Sequence, residues 1–127
     1  MGPQTSLALA IMAVLLVKHM VFDFVLQSRY QLANKHIYGH PGGLLHAGLH
    51  LLGTLVAIAM ARPSPTVAIL ILAAEFLVHY HVDWAKERLL LWGRWAGDDA
   101  RRWAVFGADQ LIHGLSYLAI AAVLIRR

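Results

Sequence analysis

Histidine, aspartate and glutamine recur at intervals of four residues in the stretch HMVFDFVLQ, which covers residues 19–27. Side chains at this spacing lie on one face of an α-helix, one turn apart. His19, Asp23 and Gln27 are therefore expected to form a polar stripe along a helix that is otherwise apolar. Imidazole and carboxylate groups arranged in this way are suited to binding a divalent metal ion.

The same four-residue spacing recurs in three later apolar stretches. Its members are the pair His46 and His50, the series Glu75, His79 and Asp83, and the pair Asp109 and His113. Two histidines at this spacing can hold one ion, and a carboxylate one turn away can supply charge or orient a ring through a hydrogen bond. The side-chain amides of Gln27 and Gln110 are expected to orient neighbouring groups through hydrogen bonds.

The composition indicates that these stretches cross a membrane. Hydrophobic residues make up 59% of the 127 residues and charged residues only 14%, and the mean hydropathy is +0.59. A soluble domain carries about a quarter charged residues, so this chain has too little polar surface for a water-facing globule. The net charge of +4 is assigned to loops that set membrane orientation, and no nucleic-acid partner is expected. Cysteine is absent, which excludes thiolate metal sites.

Four stretches are long enough to cross a bilayer, for which about 20 residues are needed. The sequence predicts spans over about residues 6–27, 43–61, 66–84 and 103–125. The second span is expected to stop at RPSP, because Pro63 and Pro65 cannot continue a helix. The stretch NKHIYGHPGG reads as a turn or interfacial loop. The predicted fold class is all-α, an integral membrane antiparallel four-helix bundle in a single domain over residues 1–127.

Basic residues are unevenly distributed between the two sides of this predicted bundle. The side with the two long loops carries Arg29, Lys35, Lys86, Arg88, Arg94, Arg101 and Arg102, and the other side carries Arg62, Arg126 and Arg127. Cytoplasmic loops are enriched in lysine and arginine. We therefore expect both long loops to face the cytoplasm.

The polar pairs are expected to meet at one depth. They lie late in the first and third spans and early in the second and fourth, so antiparallel packing brings them into the half of the bilayer nearest the long loops. An ionisable group in the hydrocarbon costs a few kcal/mol, which facing partners or a bound cation can offset. The predicted metal ligands are His19, Asp23, His46, His50, His79, Asp83, Asp109 and His113.

These ligands suffice for one divalent ion with a full set of supporting hydrogen bonds, or for two ions. Zinc suits imidazole and carboxylate ligands best, and iron and manganese are alternatives. The remaining histidines are expected outside the site. His36 and His40 fall in a loop, and His81 lies two positions from His79, so it points away from that residue.

If the chain is an enzyme, the expected chemistry is metal-assisted hydrolysis at the membrane interface. The predicted catalytic residues are Asp23, Glu75, Asp83 and Lys86. One of the acids would accept a proton from water, whereas Lys86 would hold a phosphate or extend to the lipid headgroups. The partners implied are membrane lipid, an amphiphilic or lipid-linked substrate, and a larger membrane complex of which the chain is a subunit.

Three other functions fit part of the pattern. The polar residues could form a purely structural network in an accessory subunit, they could carry a metal ion across the membrane, or two histidines could ligate haem. The outer stretches LALAIMAVLLV and LAIAAVLI are almost wholly apolar, which disfavours a transport pathway. A haem needs only an axial pair in an apolar slot, which disfavours a cluster rich in acids.

The chain resembles a family of small bacterial membrane proteins known as domain of unknown function 3307. The resemblance rests on HMVFDFVLQ, Asn34-Lys35, HAGLH, HVDWAK and DQLIH, which together span almost the whole chain. Lys18 departs from the family pattern, in which that position is apolar or small. The resemblance implies the fold, the polar site and a bacterial inner-membrane location, but no activity. More loosely, the H-x-x-x-D pairs are similar to those of inner-membrane proteins named metal-dependent hydrolases.

Overall fold

The computed structural model describes residues 2–126, and within that range the chain is helical with no β-strand. The helices are α1 (Pro3–Met20), α2 (Arg29–Asn34), α3 (Pro41–Ala61), α4 (Pro65–Gly93) and α5 (Ala100–Leu124), and a π-helical turn, Val21–Val25, continues α1. All but the short α2 are long and apolar enough to cross a membrane. The all-α membrane bundle predicted from the sequence is thereby confirmed.

The long helices form a ring in which each contacts two neighbours. Helix α1 packs against α3 and α5, and α4 packs against the same two helices from the opposite side. Helix α2 packs on the first turns of α3. A Cβ atom at Gly42 would lie 3.0 Å from the carbonyl oxygen of Tyr30, so this close approach of α2 to α3 depends on a glycine.

The connection between α3 and α4 is tight, as the RPSP stretch predicts. Arg62 ends α3 with a left-handed φ of 51°. The Ser64 hydroxyl accepts a hydrogen bond from the N–H of Val67 at 3.3 Å, and Pro65 takes the first position of α4. A serine cap followed by proline is a typical helix start. The serine hydroxyl accepts an N–H group that has no partner within the helix, and proline has no N–H group at all.

The helices lie close to the predicted spans, and one helix is additional. Helices α1, α3 and α5 begin two to three residues earlier than predicted, the first membrane helix ends at Val25, and α4 continues to Gly93 through WAKERLLLW, an extension that the sequence left open. Helix α2 forms within the predicted first loop. Its start is capped by Ser28, whose hydroxyl accepts a hydrogen bond from the N–H of Gln31 at 3.2 Å.

The interior of the bundle divides into two halves of different chemistry. The apolar half, near the termini and the RPSP turn, is the cluster of Ile11, Leu15, Ala57, Ala61, Ile71, Tyr117, Ile120, Ala121 and Leu124. The polar half, near the long loops, contains buried His19, Asp23, Gln31, Lys35, His46, His50, His79, Asp83, Asp109 and His113. The depth predicted for the polar pairs therefore agrees with their convergence in the structure.

Candidate metal centre

The π-turn at the end of α1 positions the first carboxylate of the centre. The N–H of Leu26 donates to the carbonyl oxygen of Val21 at 2.8 Å, five residues back, which widens the helix around Asp23. Gln27 donates its side-chain amide to the backbone carbonyl of Asp23 at 2.7 Å. Gln27 thus supports the turn and does not extend the polar stripe into the centre. Turns of this kind are frequent at functional sites.

Asp23 connects the histidines of α1 and α3. Its Oδ1 atom lies 3.0 Å from Nε2 of His46 and 2.9 Å from Nε2 of His50. Its Oδ2 atom lies 3.2 Å from Nε2 of His19. The two oxygens of this carboxylate therefore face different imidazole rings.

Asp83 makes the equivalent connection among α3, α4 and α5. Its Oδ2 atom lies 3.1 Å from Nε2 of His46 and 3.4 Å from Nε2 of His79. Its Oδ1 atom lies 3.2 Å from Nε2 of His113. Asp23 and Asp83 thus both approach Nε2 of His46, and each also faces a histidine that the other does not contact within 3.5 Å.

Asp109 forms the edge of the centre between α4 and α5. Its Oδ1 atom lies 3.2 Å from Nε2 of His113, and its Oδ2 atom accepts a hydrogen bond from the Gln110 amide at 3.0 Å. The ammonium of Lys86 lies 3.7 Å from Oδ2 of Asp109 and 3.3 Å from Oε1 of Glu87. The Lys86 side chain is therefore largely buried and pairs with Glu87 and Asp109 at the edge of the centre.

All eight predicted metal ligands are buried, and each belongs to at least one group whose ligand atoms lie within 4.8 Å of one another. The groups are Asp23, His46, His50 and His79; His19, His79 and His113; and Asp83, Asp109 and His113. Because His79 and His113 each belong to two groups, the three form one continuous cluster. Its size and its nitrogen and oxygen ligands are suited to one or two divalent ions.

Several ligand atoms in this cluster lack a hydrogen-bonding partner. They include Nε2 of His46, both ring nitrogens of His79 and Oδ1 of Asp109. Some of these atoms lie close to another polar atom, but the angle at the donor or the acceptor is not that of a hydrogen bond. Since buried polar atoms are normally hydrogen-bonded, these nitrogens and oxygens are available to coordinate an ion.

Two side chains of the centre, one on α2 and one on the residue that follows it, were missed in the sequence. Gln31 accepts a hydrogen bond from Nδ1 of His46 at 3.2 Å. The ammonium of Lys35 lies 2.8 Å from Oδ2 of Asp83 and its side chain is buried. The family motif includes Lys35, and this was the sign in the sequence that the residue matters. Helical spacing cannot predict that a residue in a loop lies at the same depth as the buried histidines.

The burial of lysines also bears on the predicted orientation. Lys35 and Lys86 are paired with carboxylates inside the bundle, so they are not free loop charges. The excess of basic residues on the loop side is therefore smaller than the sequence count suggested. The cytoplasmic placement of the loops stays a prediction.

A buried ion pair lies beneath the centre, towards the apolar half. Lys18 pairs with Glu75 and also donates to the carbonyl oxygen of His50 at 3.1 Å. Its stem crosses α3 at Gly53, where a Cβ atom would lie 2.6 Å from Cβ of Lys18. Glu75, a predicted catalytic residue, therefore has Lys18 as its partner and belongs to none of the three groups.

The remaining histidines lie outside the cluster, as expected. The His40 ring caps α3 by accepting the N–H of Gly42 at 3.0 Å. His81 donates from Nδ1 to the carbonyl oxygen of Leu77 at 2.7 Å, and its Nε2 lies 3.0 Å from the Tyr38 hydroxyl. His81 is exposed, although it lies only two residues from the buried His79.

Comparison with known proteins identifies the family. The sequence matches the family described as protein of unknown function, DUF3307, over residues 11–126. No curated protein and no solved structure matches the chain. The matched range contains the π-turn, helices α2 to α5 and every residue of the candidate centre. The chain therefore belongs to the DUF3307 family, as its motifs predicted.

Proposed function

We propose that the protein binds divalent metal ions in the centre formed by its buried histidines and aspartates. The observation that carries this proposal is the position of His46. Its Nδ1 donates to Gln31, so in a neutral ring Nε2 carries a lone pair. That lone pair faces Oδ1 of Asp23 at 3.0 Å and Oδ2 of Asp83 at 3.1 Å. A cation at this point replaces repulsion by attraction, and the Gln31 contact orients the ring as a ligand.

The charges of the centre favour a cation. Three carboxylates (Asp23, Asp83 and Asp109) lie with two ammonium groups (Lys35 and Lys86), which leaves one net negative charge when the histidines are neutral. A negative charge in a buried site from which water is largely excluded attracts a cation. Zinc is the ion we favour, because imidazole nitrogen dominates the ligand set, with iron and manganese as alternatives.

The ligand groups have room for one ion or for two. One ion could be held by Asp23, His46, His50 and His79, and a second by Asp83, Asp109 and His113. His19 is grouped with His79 and His113, one from each of these sets, and its Nδ1 atom lies 2.9 Å from the Tyr117 hydroxyl.

Elemental analysis of the detergent-purified protein tests this proposal. We expect between one and two equivalents of metal in the wild type and a loss of metal in His50→Ala, whose ring lies 2.9 Å from Asp23. His81→Ala is the matched control, because it removes an exposed histidine of α4 outside the centre. It should retain the wild-type metal content.

Circular dichroism and gel filtration separate loss of a ligand from loss of the fold. If His50→Ala fails to fold, His50→Gln replaces it. A wild-type protein that stays free of metal, even when titrated with zinc, iron and manganese, contradicts the proposal. The polar half would then be a structural network, and the search would turn to partner proteins.

A second proposal is that the centre hydrolyses an ester or phosphate bond. Its support is the presence of Lys86 at the edge of the cluster, beside Asp109. A bound divalent ion supplies a Lewis acid and makes water nucleophilic near neutral pH. Asp23 or Asp83 would accept the proton, and Lys86 would hold the anionic oxygen of the substrate. Glu75 is paired with Lys18 and belongs to none of the three ligand groups, so the proposed step does not use it.

Turnover of a chromogenic phosphate diester and a chromogenic carboxylic ester tests the hydrolase proposal. Activity should require metal, be lost in Asp83→Asn, and show a raised KM in Lys86→Gln. The Arg94→Gln variant, which changes an exposed loop cation, is the control. A metal-loaded protein that turns over neither substrate would favour an accessory or metal-binding role without hydrolysis.

A further inference from the structure

Two exposed arginines lie at helix ends on the side of the termini. Arg62 ends α3, and Arg126 lies two residues beyond the end of α5. Both line a cavity of about 610 Å³ beside the RPSP turn. Within the part of the chain that the structure describes, neither arginine forms an ion pair. The cavity therefore has two cations available to a ligand.

No acidic side chain lies near these arginines. All seven acidic residues of the chain lie in the centre, beneath it or on the side of the long loops, and they are Asp23, Glu75, Asp83, Glu87, Asp98, Asp99 and Asp109. The charge at the cavity is therefore positive. A guanidinium can hold a phosphate through two parallel hydrogen bonds, so the cavity is suited to a phosphate group.

The cavity opens onto an apolar groove between α4 and α5. Val67 and Val123 line both, and the groove, about 510 Å³ in volume, continues along α4 to Val78. From Val67 to Val78 the helix rises about 16 Å. This length is about the depth of one leaflet, since the hydrocarbon core of a bilayer is about 30 Å thick. An acyl chain that begins at the arginines would therefore fit along the groove.

The polar side chains of the apolar groove already have partners. Glu75 pairs with Lys18, and its side chain is only 1% exposed. The Ser116 hydroxyl donates to the carbonyl oxygen of His113 at 2.7 Å. The rest of the groove is lined by aliphatic residues. A molecule in the groove would thus contact mainly hydrocarbon, and its charged group would lie at the arginines.

We propose that an anionic phospholipid binds here, with its phosphate at Arg62 and Arg126 and one acyl chain in the apolar groove. Basic pockets between transmembrane helices bind the headgroups of anionic lipids. The phosphate would link the end of α3 to the end of α5, which the chain does not join directly on this side. The site lies at the opposite end of the bundle from the metal centre and goes beyond the function proposed for that centre.

Arg62 and Arg94 form a matched pair for testing the charge. Each ends a membrane helix in the left-handed conformation, with φ of 51° and 49°, and each donates its N–H to the carbonyl oxygen four residues earlier. Arg94 lies on the side of the long loops and lines neither the cavity nor the groove. Glycine adopts this φ without strain. Arg62→Gly and Arg94→Gly therefore each remove one cation while the helix end is kept.

Photolabelling in phosphatidylcholine vesicles tests the proposal. The protein is reconstituted with a trace of phosphatidylglycerol that carries a diazirine on its acyl chain, or of phosphatidylcholine with the same chain, and labelled residues are identified by mass spectrometry. Phosphatidylglycerol should label the apolar groove about 25-fold more strongly, as two basic contacts imply. Arg62→Gly and Arg126→Gln should each lower this preference about fivefold. Arg94→Gly should leave it unchanged.

Ala119→Trp tests the place of the acyl chain, because Ala119 is exposed and lines the apolar groove. It should abolish labelling there, and Ala74→Phe replaces it if that variant does not fold. Ala108→Trp is the matched control, since Ala108 lines a different groove nearer the long loops. Equal labelling by the two lipids, an equal loss of preference in Arg62→Gly and Arg94→Gly, or labelling that persists in the plugged variant overturns the proposal.

Metal content measured on the same samples separates this site from the metal centre. Arg62→Gly should keep the wild-type metal content, because Arg62 belongs to none of the three ligand groups. A wild-type protein with metal but without lipid preference overturns the lipid site and leaves the metal centre standing. Lipid preference without metal supports the site at Arg62 and Arg126 and contradicts the centre.

Discussion

The two halves of this bundle are built from the same four membrane helices but depend on different interactions. In the apolar half, small side chains such as Ala57, Ala61 and Ala121 lie among larger aliphatic ones, which lets helices pack closely within lipid. In the polar half, each buried group faces a specific partner at hydrogen-bonding or ion-pair distance. Packing tolerates small changes of shape, whereas a buried charge does not tolerate loss of its partner.

We therefore expect the polar half to bind the metal ion, and we expect substitutions there to lower the free energy of unfolding most. The apolar half holds the helices at the spacing that lets the polar groups meet. Substitutions in the two halves should therefore separate metal binding from stability.

Asp83→Ala should have the largest effect. It removes the partner of Lys35, which lies 2.8 Å away and is 2% exposed, so a buried ammonium is left unpaired at a cost of about 3–5 kcal/mol. Unfolding of the metal-free protein by SDS, followed by circular dichroism, measures this loss. The double variant Lys35→Met with Asp83→Leu should recover most of the stability but no metal. A single variant as stable as the wild type would contradict the assignment of a buried pair.

Leu15→Ala should destabilise the apolar half while metal binding is retained. Leu15 is fully buried among residues of that half, and truncating a buried leucine costs about 2–5 kcal/mol because a cavity remains. Metal content at saturating zinc should equal that of the wild type in the same unfolding series. Loss of metal from a folded Leu15→Ala protein would show that the two halves are not separable.

Gly53→Ala should have a smaller effect, at the boundary of the two halves. Its Cβ atom would lie 2.6 Å from Cβ of Lys18, and such overpacking costs about 1–3 kcal/mol. Gly48→Ala on the same helix is the control, since a Cβ atom there has no neighbour within 4 Å. The midpoint of SDS unfolding should fall for Gly53→Ala alone. Equal midpoints for both variants would show that the side chain of Lys18 tolerates a methyl group at position 53.

Ser64→Ala should have the smallest effect, because it lies outside both halves. It removes the hydroxyl that accepts the N–H of Val67 at 3.3 Å, a cap whose loss costs about 1 kcal/mol. Hydrogen exchange at the first turn of α4 should accelerate, while metal content stays unchanged. Ser64→Asp is the matched control, since aspartate caps equally well. Slower exchange in Ser64→Ala would contradict the cap.

Much of this architecture could be predicted because it depends on patterns that are local in sequence. Hydropathy specified the four spans, and Pro63 and Pro65 specified a break between two of them. The four-residue spacing of His46 and His50 specified a shared helix face. The antiparallel order of the spans then implied one depth for all the polar pairs, since each helix reverses direction relative to the last.

The partners of individual atoms could not be predicted, because they depend on contacts between residues distant in sequence. No local rule joins Lys18 to Glu75 across the bundle through the gap at Gly53. Lys35 was counted as a basic residue of the loop side and Gln31 was not singled out, yet α2 brings both into the centre.

The sequence alone determined that the chain is a membrane bundle with histidines and aspartates in one half of it. Apolar length and helical periodicity are properties of each segment, so they can be read without the other segments. Only the tertiary structure decided that Asp23 and Asp83 both face Nε2 of His46, and that Lys86 lies beside Asp109. The reason is physical: the direction of a side chain in a packed interior depends on the shapes and charges of all the helices around it.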